Sequence, residues 1–147
     1  MIGILVLSHG EMAHGMIHSL NFLYGQAEGL RALCLYPEHS PEDFDAMLAE
    51  AVAEVDTGDG VLIFTDINGG TPANRALLLA AQRADVEVIT GMNLPLLLAA
   101  VSSREFCTLP ELVNELLEES KLSIVCTSHA LREQIAADSD DMDDLME

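Results

Sequence analysis

Short apolar runs alternate along this chain with longer segments of helical periodicity, and this alternation constrains the fold more than any other feature. The four clearest runs are Ile2 to Leu7, Leu30 to Leu35, Gly60 to Asp66 and Val86 to Thr90. The segments between them place apolar residues three or four positions apart, as Met12, Met16 and Leu20 do. This pattern is typical of βαβ units, so we predict a doubly wound α/β fold whose mostly parallel sheet has helices on both faces.

Helix start signals divide the segments between the strands. Ser40 precedes Pro41, and Thr71 precedes Pro72, so both hydroxyl residues are predicted N-caps with proline in the first turn. A further helix is predicted from Thr108 to Glu119. After it, residues 121 to 127 ("KLSIVCT") form a last apolar run, which predicts a short C-terminal strand.

Composition restricts the class of protein. The 147 residues, half of them hydrophobic, suffice for one core, and we expect one domain over residues 1–130 with an extension over 131–147. Six of the 25 acids fall in the last ten residues, so we expect a disordered acidic tail from Asp138, or a segment that attracts a basic partner. The three cysteines, Cys34, Cys107 and Cys126, are widely spaced and predict reduced core thiols.

The charge balance excludes one class of partner. With a net charge of -19 and only six lysines and arginines, the chain is not expected to bind nucleic acid. No apolar stretch approaches the ~20 residues of a membrane span, and no basic residue precedes the apolar N-terminus as in a signal peptide. We therefore expect a cytoplasmic protein without membrane insertion.

Two polar residues stand at the ends of predicted central strands. His9 follows the first apolar run, and Asp66 ends the third. Ligands of open α/β sheets bind beyond the carboxyl ends of the strands, where strand order reverses, and a sheet of order 2-1-3-4 would set these residues side by side. Because a carboxylate that accepts from Nδ1–H leaves the lone pair of Nε2 free, we expect His9 to be a nucleophile oriented by Asp66.

The glycine-rich loop after Asp66 predicts an anion site. In "NGGTP", the backbone N–H groups of Gly69, Gly70 and Thr71, with the Thr71 hydroxyl, stand at the start of a helix, which is suited to a phosphoryl group. Gly10 is expected to leave room for that group beside His9. Taken singly, each of these residues is an ordinary turn or cap residue; together they favour a phosphoryl acceptor.

Other site chemistries find less support. His14 and His18 lie one helical turn apart and could bind a metal with His9, but no third ligand of suitable spacing follows, so no metal is expected. The chain has neither a Walker loop nor a dinucleotide fingerprint, so ATP and NAD are not expected and no cofactor is predicted.

With these residues assembled, the sequence resembles the mannose family of enzyme IIA components of the bacterial phosphoenolpyruvate-dependent sugar phosphotransferase system. The resemblance covers residues 1 to about 130 and rests on three segments in order. They are "SHG" at 8 to 10, "DINGGTPAN" at 66 to 74 and "VITGMNLPLLL" at 88 to 98. The chain departs from some relatives at Asn68, where an aromatic residue or leucine is common, and this concerns partner docking more than chemistry.

The resemblance implies a phosphotransferase subunit of a sugar uptake system. His9 would take a phosphoryl group on Nε2 from the phosphohistidine of the carrier protein HPr and pass it to a separate enzyme IIB, since no IIB domain follows Glu147. Asp66 would hold Nδ1, and Thr71 with the loop amides would bind the phosphate. The resemblance also implies a homodimer in which the last strand, Leu122 to Thr127, is exchanged and pairs antiparallel with the partner's sheet.

Two functions from other classes stay open. The phosphotransfer subunit of dihydroxyacetone kinase shares the fold and the histidine, but carries a different loop in place of "GGTP". A regulatory module whose phosphorylation controls the binding of a partner would use the same residues without a role in transport. The sugar is not readable, because specificity in this family lies with the other components.

Overall fold

The computed structural model describes residues 1–146. A sheet of four parallel strands stands at its centre in the order β2-β1-β3-β4, which confirms the predicted fold and strand order. The strands are β1 (Gly3–His9), β2 (Leu30–Leu35), β3 (Val61–Thr65) and β4 (Val86–Thr90). The helices are α1 (Met12–Tyr24), α2 (Pro41–Val55), α3 (Thr71–Gln82), α4 (Leu94–Ser103), α5 (Leu109–Ser120) and α6 (Thr127–Met146).

Two apolar layers cover the faces of the sheet. Because successive side chains of a strand point to opposite faces, Ile4 and Val6 join the layer under α1, α4 and α5, whereas Leu5 and Leu7 join the layer under α2 and α3. All four of these side chains are fully buried. The central strands β1 and β3 are therefore covered on both faces, and the exposed His9 stands at the carboxyl end of β1.

Local capping explains most helix boundaries. The Ser40 side chain accepts from the Asp43 amide, and the Asp43 carboxylate accepts from the Ser40 amide, which completes a capping box at the start of α2. Thr108 and Glu111 form the same arrangement at α5. The prediction for α3 is wrong by one residue: Gly70 occupies the N-cap position without a side-chain cap, and Thr71 is the first helical residue.

The C-terminal segment differs from its prediction. Residues 122–126 form turns and irregular chain, and Thr127 already belongs to α6, so the single chain has no strand at Leu122–Thr127. A strand needs a neighbour to pair with, and here Leu122 and Ile124 are exposed at 72% and 86%. Exchange of this segment in a homodimer stays a prediction.

Helix α6 continues through residues 138–146, where the sequence predicts a disordered acidic tail. Apart from Ser139, the segment contains only acids, methionine and leucine, without glycine or proline to end a helix. No residue of α6 is buried. None of the helices within residues 1–146 combines the length and apolar character that crossing a bilayer requires.

Candidate functional site

The parallel pairing of β1 with β3 brings His9 and Asp66 together. His9 is the last residue of β1, Asp66 follows β3, and Leu7 lies in register with Thr65. Atom Oδ2 of Asp66 lies 2.8 Å from His9 Nδ1 and also accepts the backbone N–H of His9 at 2.8 Å. An ionised carboxylate only accepts hydrogen bonds, so Nδ1 carries a proton, and in the neutral ring the lone pair is on Nε2.

Burial differs between the two side chains. The Asp66 side chain is 10% exposed, whereas the His9 side chain is 46% exposed. Partial burial acts to raise the pKa of the Asp66 carboxyl, but hydrogen bonds from the His9 amide, the His9 ring and the Ile67 amide together outweigh it. The pKa therefore lies below its usual value, and Asp66 is a carboxylate at neutral pH, fixed behind an accessible imidazole.

Gly70 places the start of α3 against the imidazole ring. A Cβ atom added at Gly70 would lie 2.6 Å from His9 Cε1 and 3.1 Å from Nε2, closer than any side chain is tolerated. Only glycine allows the backbone to approach the ring so closely. The N-terminus of α3, the positive end of its dipole, consequently lies beside Nε2.

The loop that carries Gly70 is held by Asn74, which lies in the motif segment at 66 to 74 and to which the sequence analysis gives no role. Its backbone N–H donates to the Gly70 carbonyl at 2.9 Å, and its side-chain amide donates to the Gly69 carbonyl at 3.3 Å. Gly69 has φ +83°, the left-handed region in which glycine is favoured. Asn74 thus holds both carbonyls of the loop, and the N–H groups in the first turn of α3 have no intrahelical acceptors, as at any helix N-terminus.

Gly10 has a conformational role in the turn after His9. Its φ is +57°, and its N–H donates to the Leu35 carbonyl at 2.8 Å. A Cβ atom added at Gly10 would meet no protein atom within 4 Å. The turn geometry thus requires glycine here, while its predicted place beside a phosphoryl group stays a prediction.

Ser8 is a second residue whose role sequence reasoning missed. It is fully buried, and its Oγ accepts the Ala13 N–H at 2.7 Å and donates to the Gly10 carbonyl at 3.2 Å. This satisfies an amide in the first turn of α1, where the N-cap residue Glu11 provides no side-chain cap. A polar residue in an otherwise apolar strand was the available signal.

The other histidines and the cysteines lie apart from this site. His14 and His18 are exposed on α1, and residues 1–146 contain no group of three potential ligands that could hold a metal. Cys34 is buried, Cys107 is half-buried and Cys126 is exposed; all three are free thiols. The expectation of a core thiol is therefore wrong for Cys126, which lies in the exposed segment before α6.

A cavity of about 640 Å³ opens at the opposite end of the sheet, between Asp59, Asp85 and Arg104, and does not include His9. The Arg104 side chain is nearly buried there, and burial lowers its pKa. Its guanidinium donates to the carbonyls of Ile2 and Gly29, at 3.4 and 3.2 Å, and to that of Glu28. These bonds close the amino ends of β1 and β2, a structural role.

The fold and the site define a class: doubly wound α/β proteins that present a histidine, oriented by an aspartate, at the point where strand order reverses. A family model described as "PTS system fructose IIA component" matches residues 3–117. The chain belongs to this family, the IIA components of sugar phosphotransferase systems, which confirms the resemblance seen in its motifs.

Individual relatives agree with this assignment. The fructose-specific EIIA component of Bacillus subtilis is 29% identical over 130 residues, which is 88% of this chain and 89% of that protein. The crystal structure of EIIA from Streptococcus agalactiae superposes with a TM-score of 0.81 at 30% identity, covering 88% of this chain and 99% of that one. A IIA protein associated with the fucose utilization operon of Streptococcus pneumoniae gives 0.80 at 30% identity, covering 88% and 95%.

Proposed function

We propose that this chain is the phosphocarrier of a sugar uptake system, in which His9 accepts a phosphoryl group on Nε2 from phospho-HPr and passes it to enzyme IIB. The observation that carries the proposal is the pair of contacts on one imidazole: Asp66 holds Nδ1 at 2.8 Å, and Gly70 at the start of α3 lies against Nε2. The nucleophilic atom Nε2 is thereby accessible, free of a proton and next to a helix terminus suited to anions.

Each step of the transfer has a residue to support it. The P–N bond of the donor's phosphohistidine breaks as the bond from phosphorus to His9 Nε2 forms, and the donor's imidazole leaves as a neutral ring. The phosphorylated His9 ring keeps its proton on Nδ1 and carries positive charge, which the Asp66 carboxylate stabilises. The amides of Gly69, Gly70 and Thr71 are suited to the phosphoryl oxygens, since transfer of this kind depends on positioning and on N–H dipoles.

The remaining parts of the proposal follow from the family. HPr is the donor and IIB the acceptor, and the chain acts as a homodimer in the cytoplasm. Phosphate contacts by Gly69, Gly70 and Thr71, and access beside Gly10, belong to the same proposal. Transfer runs between histidines of similar phosphoryl potential, so no cofactor is part of it.

The test is transfer of one phosphoryl group. The protein is incubated with phosphoenolpyruvate, enzyme I and HPr, and its intact mass is recorded before and after brief acid treatment. We expect an acid-labile gain of one phosphoryl group in the wild type and in His18→Ala, a matched control on the exposed face of α1, and no gain in His9→Ala. Subsequent addition of IIB should remove the phosphoryl group from the protein.

Two results would contradict the proposal. Phosphorylation of the His9→Ala variant would show that His9 is not the acceptor. A stable phosphohistidine that no IIB component discharges would favour the regulatory binding module over the transport subunit.

A further inference from the structure

A second polar pair borders the His9 site and has no part in the transfer chemistry. The Tyr36 hydroxyl donates to Oε1 of Glu11 at 2.5 Å. A hydrogen bond from a neutral hydroxyl to a carboxylate is among the strong ones in proteins. It raises the pKa of Tyr36 well above its usual value, with burial as the next cause, so the hydroxyl remains a donor at every physiological pH.

The strand pairing places this pair beside His9. Glu11 is two residues beyond His9, so their Cα atoms lie within ~7 Å. His9 is in register with Leu35, the last residue of β2, and Tyr36 follows directly after that strand. Asp66 and Gly70 thus flank the imidazole from the β3 side, and the pair of Glu11 and Tyr36 borders the same sheet edge from the β2 side.

The Glu11 carboxylate is held in place at the surface. Tyr36 donates its backbone N–H to His39 Nδ1 at 3.1 Å, and the two rings lie 5.6 Å apart, which fixes the tyrosine. Glu11 itself remains exposed. Its backbone position is set by the neighbouring Gly10, whose N–H is bonded to the Leu35 carbonyl.

A fixed carboxylate at this position affects any partner that brings a phosphoryl group. The phosphoryl group is anionic, and the chain already has a net charge of -19, so the approach of a phosphorylated protein is opposed unless that protein supplies positive charge. Glu11 is an exposed carboxylate two residues beyond His9, and it would attract such a charge.

We propose that Glu11, oriented by Tyr36, is a specificity-determining residue that selects a phosphoryl donor protein with a lysine or arginine beside its phosphohistidine. This inference rests on the proposed function. Glu11 contacts the donor's surface and takes no part in bond making at Nε2.

The test compares a protein donor with a small one. Phosphorylation by phospho-HPr and by phosphoramidate, which needs no protein surface, is measured for the wild type, Glu11→Gln and Tyr36→Phe at several salt concentrations. Glu105→Gln is the matched control, because Glu105 is an exposed glutamate beside Arg104 at the opposite end of the sheet. Melting curves verify that each variant is folded.

For Glu11→Gln we expect KM for phospho-HPr to rise roughly two- to fivefold, the loss typical of one exposed charge pair. The salt dependence of KM should weaken, while kcat and the rate with phosphoramidate should not change. Tyr36→Phe should change KM in the same direction by less, and Glu105→Gln should match the wild type.

Three outcomes overturn the inference. Unchanged KM and salt dependence in Glu11→Gln would show that the donor does not sense this charge. An equal change with both donors would show that Glu11 acts on the phosphoryl group itself. If the wild type accepts phosphate from neither donor, the proposed function fails and this inference fails with it.

Discussion

Substitution of Gly70 by alanine should displace the His9 imidazole and slow phosphorylation strongly, with only a small loss in the free energy of unfolding. Gly70 has φ -82° and ψ 167°, a conformation open to any residue, so alanine strains no backbone. Its Cβ would, however, lie 2.6 Å from His9 Cε1, whereas carbon atoms in contact prefer about 3.5–4.0 Å. The ring must therefore move by roughly 1 Å.

That displacement cannot be absorbed by the contact with Asp66. The distance from Nδ1 to Oδ2 is already 2.8 Å, and a hydrogen bond extends to only about 3.2 Å. Because the ring is 46% exposed, it can swing outward at the cost of this one bond. We expect a loss of about 0.5–1.5 kcal/mol in the free energy of unfolding, and a loss of about 10²-fold in the phosphorylation rate, as for a catalytic group misplaced by 1 Å.

Three measurements check this prediction. Rapid quenching gives the rate of phosphorylation by phospho-HPr, urea unfolding gives the stability, and imidazole nitrogen shifts give the tautomer of His9. Gly15→Ala is the matched control: an added Cβ there meets nothing within 4 Å, so the rate should not change and stability should rise by about 0.5–1 kcal/mol. A wild-type rate and a fully populated Nδ1–H tautomer in Gly70→Ala would refute the reasoning.

Four further predictions follow from burial and hydrogen bonding. Asp66→Asn should slow phosphorylation ~10²-fold, because one amide oxygen replaces the two carboxylate oxygens that hold the imidazole and the loop; an unchanged rate in a single-turnover assay would contradict this. Because the folded pKa of Asp66 is lowered, its stabilising contribution is complete above the unfolded pKa of about 3.9 and is lost as the pH falls through the folded value. In urea unfolding from pH 2 to 6, stability should therefore fall less steeply with decreasing pH in Asp66→Asn than in the wild type. Part of the slope should remain, because the pKa values of Asp43, Asp56 and Asp85 are lowered too. Iodoacetamide should alkylate Cys126 before the other thiols, because Cys126 is exposed and a hydrogen bond with a neighbouring serine lowers its pKa. Cys34 is buried, and burial raises the pKa of Cys107, so both should react more slowly. Peptide mass spectrometry gives the order of alkylation. Removal of residues 127–146 should change the free energy of unfolding by no more than about 0.5 kcal/mol, since none of them is buried, and a larger loss in urea would show that α6 packs on a surface.

The features that sequence predicted well are those decided by neighbours along the chain or by the topology of the sheet. The bounds of β2 and β4 and the start of α2 match the structure, because short apolar runs and a helix cap act locally. The meeting of His9 with Asp66 involves residues 57 positions apart, but it needed only the strand order, since parallel strands end at one edge.

The C-terminal strand was predicted poorly, because a strand forms only by pairing with another strand. The apolar run at Leu122–Thr127 has strand-like composition, yet whether it becomes a strand depends on an unpaired edge being available to it, which composition does not encode. In the single chain the segment pairs with neither edge strand of the sheet, β2 or β4, and it leads into α6 instead. The residues of β1 needed no such condition, because strands on both sides pair with it.

The different roles of Gly10 and Gly70 in the site could likewise not be predicted from the sequence. Both stand in motif segments, and sequence reasoning gave them one role, access and amides for a phosphoryl group. Their environments separate them: Gly10 is required by a backbone angle with open space around it, and Gly70 by the ring of His9 with no angular demand at all. The requirement for glycine at position 70 comes from its distance to the His9 ring, which lies far away in the sequence. Gly70→Ala tests this contact alone, because alanine adopts the same backbone conformation.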